Sequence, residues 1–183
     1  MTYLILVRHS LSQPDPQTPA NTWQLTPEGI ERCETLADAL RPYDIHKIYT
    51  SEEPKACTTG EYVAEHLAID YEISPNFHET RAVTAPFFND PDEFRARVKD
   101  AMLKPNDVLY GEESFAQAYT RFDRQMRLLS FEYPNKTLAV VTHGRVMSMY
   151  IGKTCGMPPY DVWRQLDLPA FAVIRRSDMK LVK

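Results

Sequence analysis

Five short apolar, β-branched runs recur along the chain, at Tyr3 to Val7, Ile45 to Tyr49, Ile69 to Ile73, Leu138 to Thr142 and Phe171 to Ile174, each bounded by polar or proline-rich residues. Runs of this length read as strands buried on both faces, and the stretches between them carry helical periodicity. Ile30, Cys33, Leu36 and Leu40 fall on one helical stripe, with Thr26 as N-cap and Pro27 at the first helical position. A second helix is predicted from "TSEEPKA", capped by Thr50 or Ser51, to about Leu67. "NDPDEF" offers Asp90 as cap, Pro91 at the first position and Glu93 three after the cap, and that helix must stop before Pro105. A fourth follows "GEES", with Phe115, Ala118, Phe122, Met126 and Leu129 as its apolar stripe and Pro134 beyond its end. Strands alternating with helices of this size predict an α/β three-layer α/β/α sandwich with a mostly parallel central sheet.

A chain of 183 residues is expected to form a single domain. The stretch around residues 77–110, including "NFHETRAVTAPFFNDPDEF", is the least regular and is expected to be an elaboration over one edge of the sheet. The formal charge of -4 argues against broad attraction to nucleic acid or an anionic membrane, so an anionic ligand would need a local cationic pocket. The N-terminal apolar run is far too short for a membrane span or a secretory core, which makes a cytoplasmic protein the default. Cys33, Cys57 and Cys155 form no CxxC pair, and buried, inert thiols are the simplest reading.

Ligands of parallel sheets collect at the carboxyl ends of the strands. There the first strand ends in Arg8-His9-Ser10, the second in Thr50-Ser51, and the fourth in Thr142-His143-Gly144. A lone strand-end histidine is ordinarily a hydrogen-bonded structural group; two on one rim are a pair with chemistry. "IGKT" at 151–154 lacks the first glycine of a phosphate-binding loop, since position 147 is methionine, and reads as structural. No metal or other cofactor site is evident.

The motifs "LVRHS", "LTPEGIERCETLADAL", "IYTSEEPKACTTGEYVAEHL", "GEES" and "VVTHGRV", in that order over most of the chain, resemble the histidine phosphatase superfamily, the phosphoglycerate mutase-like proteins. That resemblance implies a phosphatase that hydrolyses phosphomonoesters through a phosphohistidine on His9, without metal. It further implies that Arg8 and His143 bind the phosphoryl oxygens and that Gly144 and Arg145 offer backbone amides. Phosphoryl transfer is governed mainly by positioning and by cations around the equatorial oxygens, which suits these residue types. Position 10 departs from the family's usual glycine. Ser12 could donate to the phosphate or simply cap a polar turn. Lys55 stands where many members have a second phosphate-binding arginine, so charge survives but the two-point fork does not. Glu79, in "NFHE", is the counterpart of the family's general acid, and a nearby phosphate is expected to raise its pKa. His78 and Arg81 flank it, and Phe87 and Phe88 are expected either to cap the pocket or to anchor their loop. The implied partner is a small phosphorylated substrate or a phosphoprotein. Two alternatives stay open: mutase-type phosphotransfer, whose family members carry longer enclosing segments, and a phosphate-binding pseudoenzyme or regulatory module without turnover.

Overall fold

The computed structural model describes residues 1–183. The sheet has six strands: β1 (Tyr3–Arg8), β2 (Lys47–Thr50), β3 (Tyr71–Ile73), β4 (Leu138–Thr142), β5 (Ala170–Arg175) and β6 (Lys180–Leu181), in the order β3-β2-β4-β1-β5-β6. The pairings from β3 through β1 are parallel, whereas β5 pairs antiparallel with both β1 and β6, so the sheet is mixed. β6 is too short to leave a sequence signature. Six helices accompany the strands: α1 (Pro27–Leu40), α2 (Pro54–Leu67), α3 (Pro91–Leu103), α4 (Phe115–Glu132), α5 (Gly144–Cys155) and α6 (Pro159–Arg164).

Strand alternation sorts the core into two layers. Ile5 and Val7 of β1 join Ala139 and Val141 of β4 against α1 and α2, through Leu36, Leu40 and Val63. Leu4 and Leu6 join Leu138 and Val140 against α4 and α5, through Phe122, Met126, Met147 and Ile151. All five residues of β4 are buried, as a central strand between two helical layers requires. Each large apolar side chain taken out of water here contributes about 2 kcal/mol, and this holds the strand ends rigid where the site is built.

The helix starts follow their chemistry with one correction. The Thr26 hydroxyl accepts from the Gly29 amide, and Ser114 and Gln117 form a reciprocal capping box on α4. Asp90 caps α3 through the Asp92 amide. Thr50 and Ser51 do not cap α2: Thr50 closes β2, Pro54 opens the helix, and the cap position falls on Glu53, which makes no side-chain cap bond. The freed Glu53 carboxylate turns toward the rim, where it becomes part of the site. α2 lies unusually close to the sheet because Gly60 faces Thr50, and a Cβ there would come within 2.1 Å of the threonine methyl. That close approach brings the first turn of α2, with Lys55, against the end of β2.

The irregular segment is pinned from behind. Arg121 of α4 donates through Nη1 to the carbonyls of Asn76 (2.7 Å) and His78 (3.1 Å) and pairs with Glu113 at 2.9 Å, while the Thr142 hydroxyl donates to the Phe77 carbonyl at 2.7 Å. Glu79 is thereby presented to the same rim as His9 and His143. "IGKT" lies within α5, as expected of a structural segment.

Candidate active site

A cavity of about 1130 Å³ opens over the carboxyl ends of the parallel strands, and Arg8, His9, Ser12, Lys55, Glu79, His143, Gly144 and Arg145 all line it. The volume lies just above the usual range of small-molecule sites. Buried polar side chains are nearly always hydrogen-bonded. The protein leaves five such atoms without an internal partner: Arg8 Nε, Thr50 Oγ1, Thr80 Oγ1, His143 Nδ1 and Arg145 Nη1. Four of those residues line this cavity; the exception is Thr50. Unused donors therefore concentrate where a ligand rich in acceptor oxygens would sit.

The two strand-end histidines face one another with ring centroids 5.2 Å apart. His9 Nδ1 lies 2.7 Å from the Ser10 carbonyl oxygen, which can only accept, so Nδ1 carries the proton and Nε2 keeps its lone pair. Burial, with Lys55 and Arg8 nearby, pushes the His9 pKa down to about 3. The imidazole is thus neutral at neutral pH, with a lone pair free on Nε2. His143 is likewise held well below its ordinary value, first by burial and then by Lys55. Its Nε2 is 2.8 Å from the Ser51 hydroxyl, and its Nδ1 is one of the unpartnered atoms. Ser10 is no mere substitute for glycine: its amide donates to Thr59 Oγ1 at 3.0 Å and its hydroxyl to the Gly29 carbonyl at 2.6 Å, tying the turn after β1 to α1 and α2.

Arg8 donates through Nη1 to the Leu166 carbonyl at 2.5 Å, leaving Nε unpaired in the cavity wall. Gly144 makes room for it, because a Cβ at that position would lie 3.0 Å from Arg8 Nε and 3.3 Å from the Trp163 ring. Ser12 lies on the cavity wall, bridged to Leu25 by a single antiparallel pairing.

Lys55 is buried, with 5% of its surface exposed, and so is not a solvated helix residue. Its Nζ donates to Glu53 Oε2 at 2.5 Å and to the Ala20 carbonyl at 2.7 Å, leaving one of its three N–H donors for a ligand. Glu53 offsets the unfavourable placement of a cation at a helix N-terminus. Its other oxygen accepts from the Glu79 amide at 2.8 Å and stands 3.5 Å from His143 Nε2. Sequence reasoning missed Glu53. An acidic residue two before a lysine that replaces an arginine was the available signal.

Glu79 is held from several sides. Its Oε1 accepts from the amides of Thr80 (2.8 Å) and Val146 (3.0 Å), and its Oε2 accepts from the Arg145 amide (2.9 Å) and lies 3.3 Å from Arg145 Nε. It is the anionic cap of α5. Burial raises its pKa, but the Arg145 charge, His143 and the backbone donors outweigh that and bring it down to about 2 in the free protein; the expected rise belongs to the phosphate-bound state. The same bonds occupy the Arg145 amide that was expected to meet the phosphate.

Aromatic side chains from the loops line the cavity: Trp23 and Phe87 meet edge to face at 6.3 Å, and Phe88 stacks on Tyr110 at 5.9 Å. His78, its Nδ1 2.6 Å from the Glu79 carbonyl oxygen, and exposed Arg81 also line the cavity.

A protein-family model described as histidine phosphatase superfamily (branch 1) matches residues 4–181. No curated protein matches the chain. Similar solved structures include a mycobacterial glucosyl-3-phosphoglycerate phosphatase, at 14% identity and TM-score 0.75 over 98% of this chain and 95% of that one. A mutant phosphoserine phosphatase from Entamoeba histolytica in complex with phosphoserine aligns at 20% identity and TM-score 0.74, over 100% of this chain and 96% of the other. A putative alpha-ribazole-5'-P phosphatase from Escherichia coli K-12 aligns at 22% identity and TM-score 0.74, over 98% and 94% respectively. At these identities the likeness establishes a shared fold.

Proposed function

The chain belongs to the histidine phosphatase superfamily, and from that premise we propose that it is a phosphatase that hydrolyses phosphomonoesters through a phosphohistidine on His9. The observation that carries this reading is the tautomer of His9: Nδ1 is committed to the Ser10 carbonyl, and an unprotonated Nε2 is left in a cavity lined with unpaired donors. His9 Nε2 attacks phosphorus, the bond to the ester oxygen breaks, and the leaving oxygen takes a proton. Water then attacks the phosphohistidine, the P–N bond breaks, and His9 and inorganic phosphate are released. Arg8 Nε, His143 Nδ1 and the third Lys55 donor hold the equatorial oxygens, supplying the fixed positive field that phosphoryl transfer needs.

The proton for the leaving oxygen follows from charge balance. Arg8, Lys55 and Arg145 face Glu53 and Glu79, so with both imidazoles neutral the site carries one net positive charge. A phosphoryl dianion makes it net negative, and the compensating proton goes to a carboxylate. We assign it to Glu79, which is an ionised cap in the free protein and becomes the general acid only once phosphate has entered.

A cavity of about 1130 Å³ with Trp23 and Phe87 in its lining suits a small phosphorylated molecule, which we favour over a phosphoprotein. The phosphatases among the similar structures named above, one of them bound to phosphoserine, are in keeping with such substrates. Three free cysteines suit a cytoplasmic setting. The test is release of inorganic phosphate from a panel of small phosphomonoesters and phosphopeptides in the presence of chelator. Turnover of the small esters is expected. Phosphate or vanadate binding with no turnover of any member would establish the binding-module alternative instead.

A further inference from the structure

We propose that Arg145 and Tyr110 form a subsite for a second anionic group, carried on the leaving group, so that the preferred substrates are phosphomonoesters whose alcohol side bears a carboxylate or a further phosphate. The proposal rests on the phosphatase reading above. It starts from a cation that reading does not use. Arg145 lies in the first turn of α5, and its side chain turns into the cavity with 8% of its surface exposed. Nε meets Glu79 Oε2 at 3.3 Å, while Nη1 is buried without a partner. A buried, charged guanidinium with an idle donor is costly unless a ligand fills it. The guanidinium carbon lies 4.6 Å from the centroid of the Tyr110 ring, a cation–π contact that helps to fix the side chain. A guanidinium is planar, and one with an unpaired donor suits the oxygens of a carboxylate or a phosphate.

Its position assigns it to the leaving group rather than to the transferred phosphoryl. Its Nε lies 3.3 Å from Glu79 Oε2, and its amide donates to the same oxygen at 2.9 Å. Arg145 therefore stands on the Glu79 side, where the ester oxygen departs. Phe88, stacked on Tyr110, and Phe94, 5.9 Å from Phe88, continue the wall and meet the carbon skeleton of the leaving group.

The test compares matched pairs, 3-phosphoglycerate with glycerol 3-phosphate and 4-carboxyphenyl phosphate with phenyl phosphate, by kcat/KM. In parallel, 3-phosphonopropionate and n-propylphosphonate are titrated calorimetrically, which needs no turnover. The wild type is expected to prefer the acid-bearing member of each pair by about tenfold or more. Arg145→Gln is expected to abolish the preference and Arg145→Lys to keep part of it; the lysine variant retains charge beside Glu79 and guards against misfolding of the glutamine variant. No wild-type preference, or an equal loss on both members of a pair, overturns the subsite. Preference among the phosphonates without hydrolysis of any ester would uphold the subsite and overturn the phosphatase. Hydrolysis without preference would do the opposite.

Discussion

His9→Ala is expected to lower kcat by about 10⁴-fold or more while the protein still folds and still binds phosphate. The size follows from the role: without the imidazole there is no atom at the end of β1 to take the phosphoryl group, and removing the nucleophile of a covalent mechanism leaves only the field of the pocket. Binding is expected to survive because Arg8, Lys55 and His143 are held by other bonds, to the Leu166 carbonyl, to Glu53 and Ala20, and to Ser51. Folding is expected to survive because the ring makes one hydrogen bond, to the adjacent Ser10 carbonyl. The check is steady-state kinetics beside circular dichroism and phosphate titration. Residual activity within tenfold of wild type would remove His9 from the role of nucleophile.

Lys55→Met is expected to lower kcat/KM by about 10²- to 10³-fold, the scale for losing one preorganised charged donor to a developing oxyanion. Lys55→Arg is expected to recover part of it, because the charge returns but the fork must displace the contacts to Glu53 and Ala20. The methionine variant has a second expected consequence. It strands Glu53, itself only 6% exposed, as a buried charge without its cation, at a cost of about 3–5 kcal/mol in stability. The double variant Lys55→Met/Glu53→Gln separates the two effects. It is expected to restore much of the melting temperature, since a glutamine oxygen can still accept from the Glu79 amide, and to restore no activity. Melting curves and kinetics on the same three variants decide the matter. An unchanged kcat/KM in Lys55→Met would place Lys55 outside the phosphate pocket.

The parts of the fold that were legible in the sequence are those fixed by local pattern. β1 and β4 are continuous apolar runs because both of their faces are covered, and Thr26, Asp90 and Ser114 cap their helices with their own side chains. β6 spans only Lys180 and Leu181, and β5 reverses direction beside β1, neither of which periodicity can reveal. At the site, the convergence of His9 and His143 follows from two parallel neighbouring strands ending at the same level, with Arg8 paired to Thr142. What was hidden depends on contacts between distant segments. Glu79 caps a helix that begins 65 residues later, which lowers its pKa in the free protein. Glu53 folds back onto Lys55 and Glu79 only because Pro54 starts the helix after it. The side chain of Arg145 carries no sequence mark that distinguishes it from a solvated arginine in a first helical turn.

A phosphoenzyme is the central claim in its most direct form. The wild type would be mixed with a phosphorus-32-labelled ester, quenched in alkali within milliseconds and digested for peptide mapping, with His9→Ala as the blank. Label that is stable to alkali, labile to acid and confined to His9 is the expected result, since a phosphoramidate has those stabilities. Rapid turnover with no labelled protein, or label on another residue, would contradict covalent catalysis by His9.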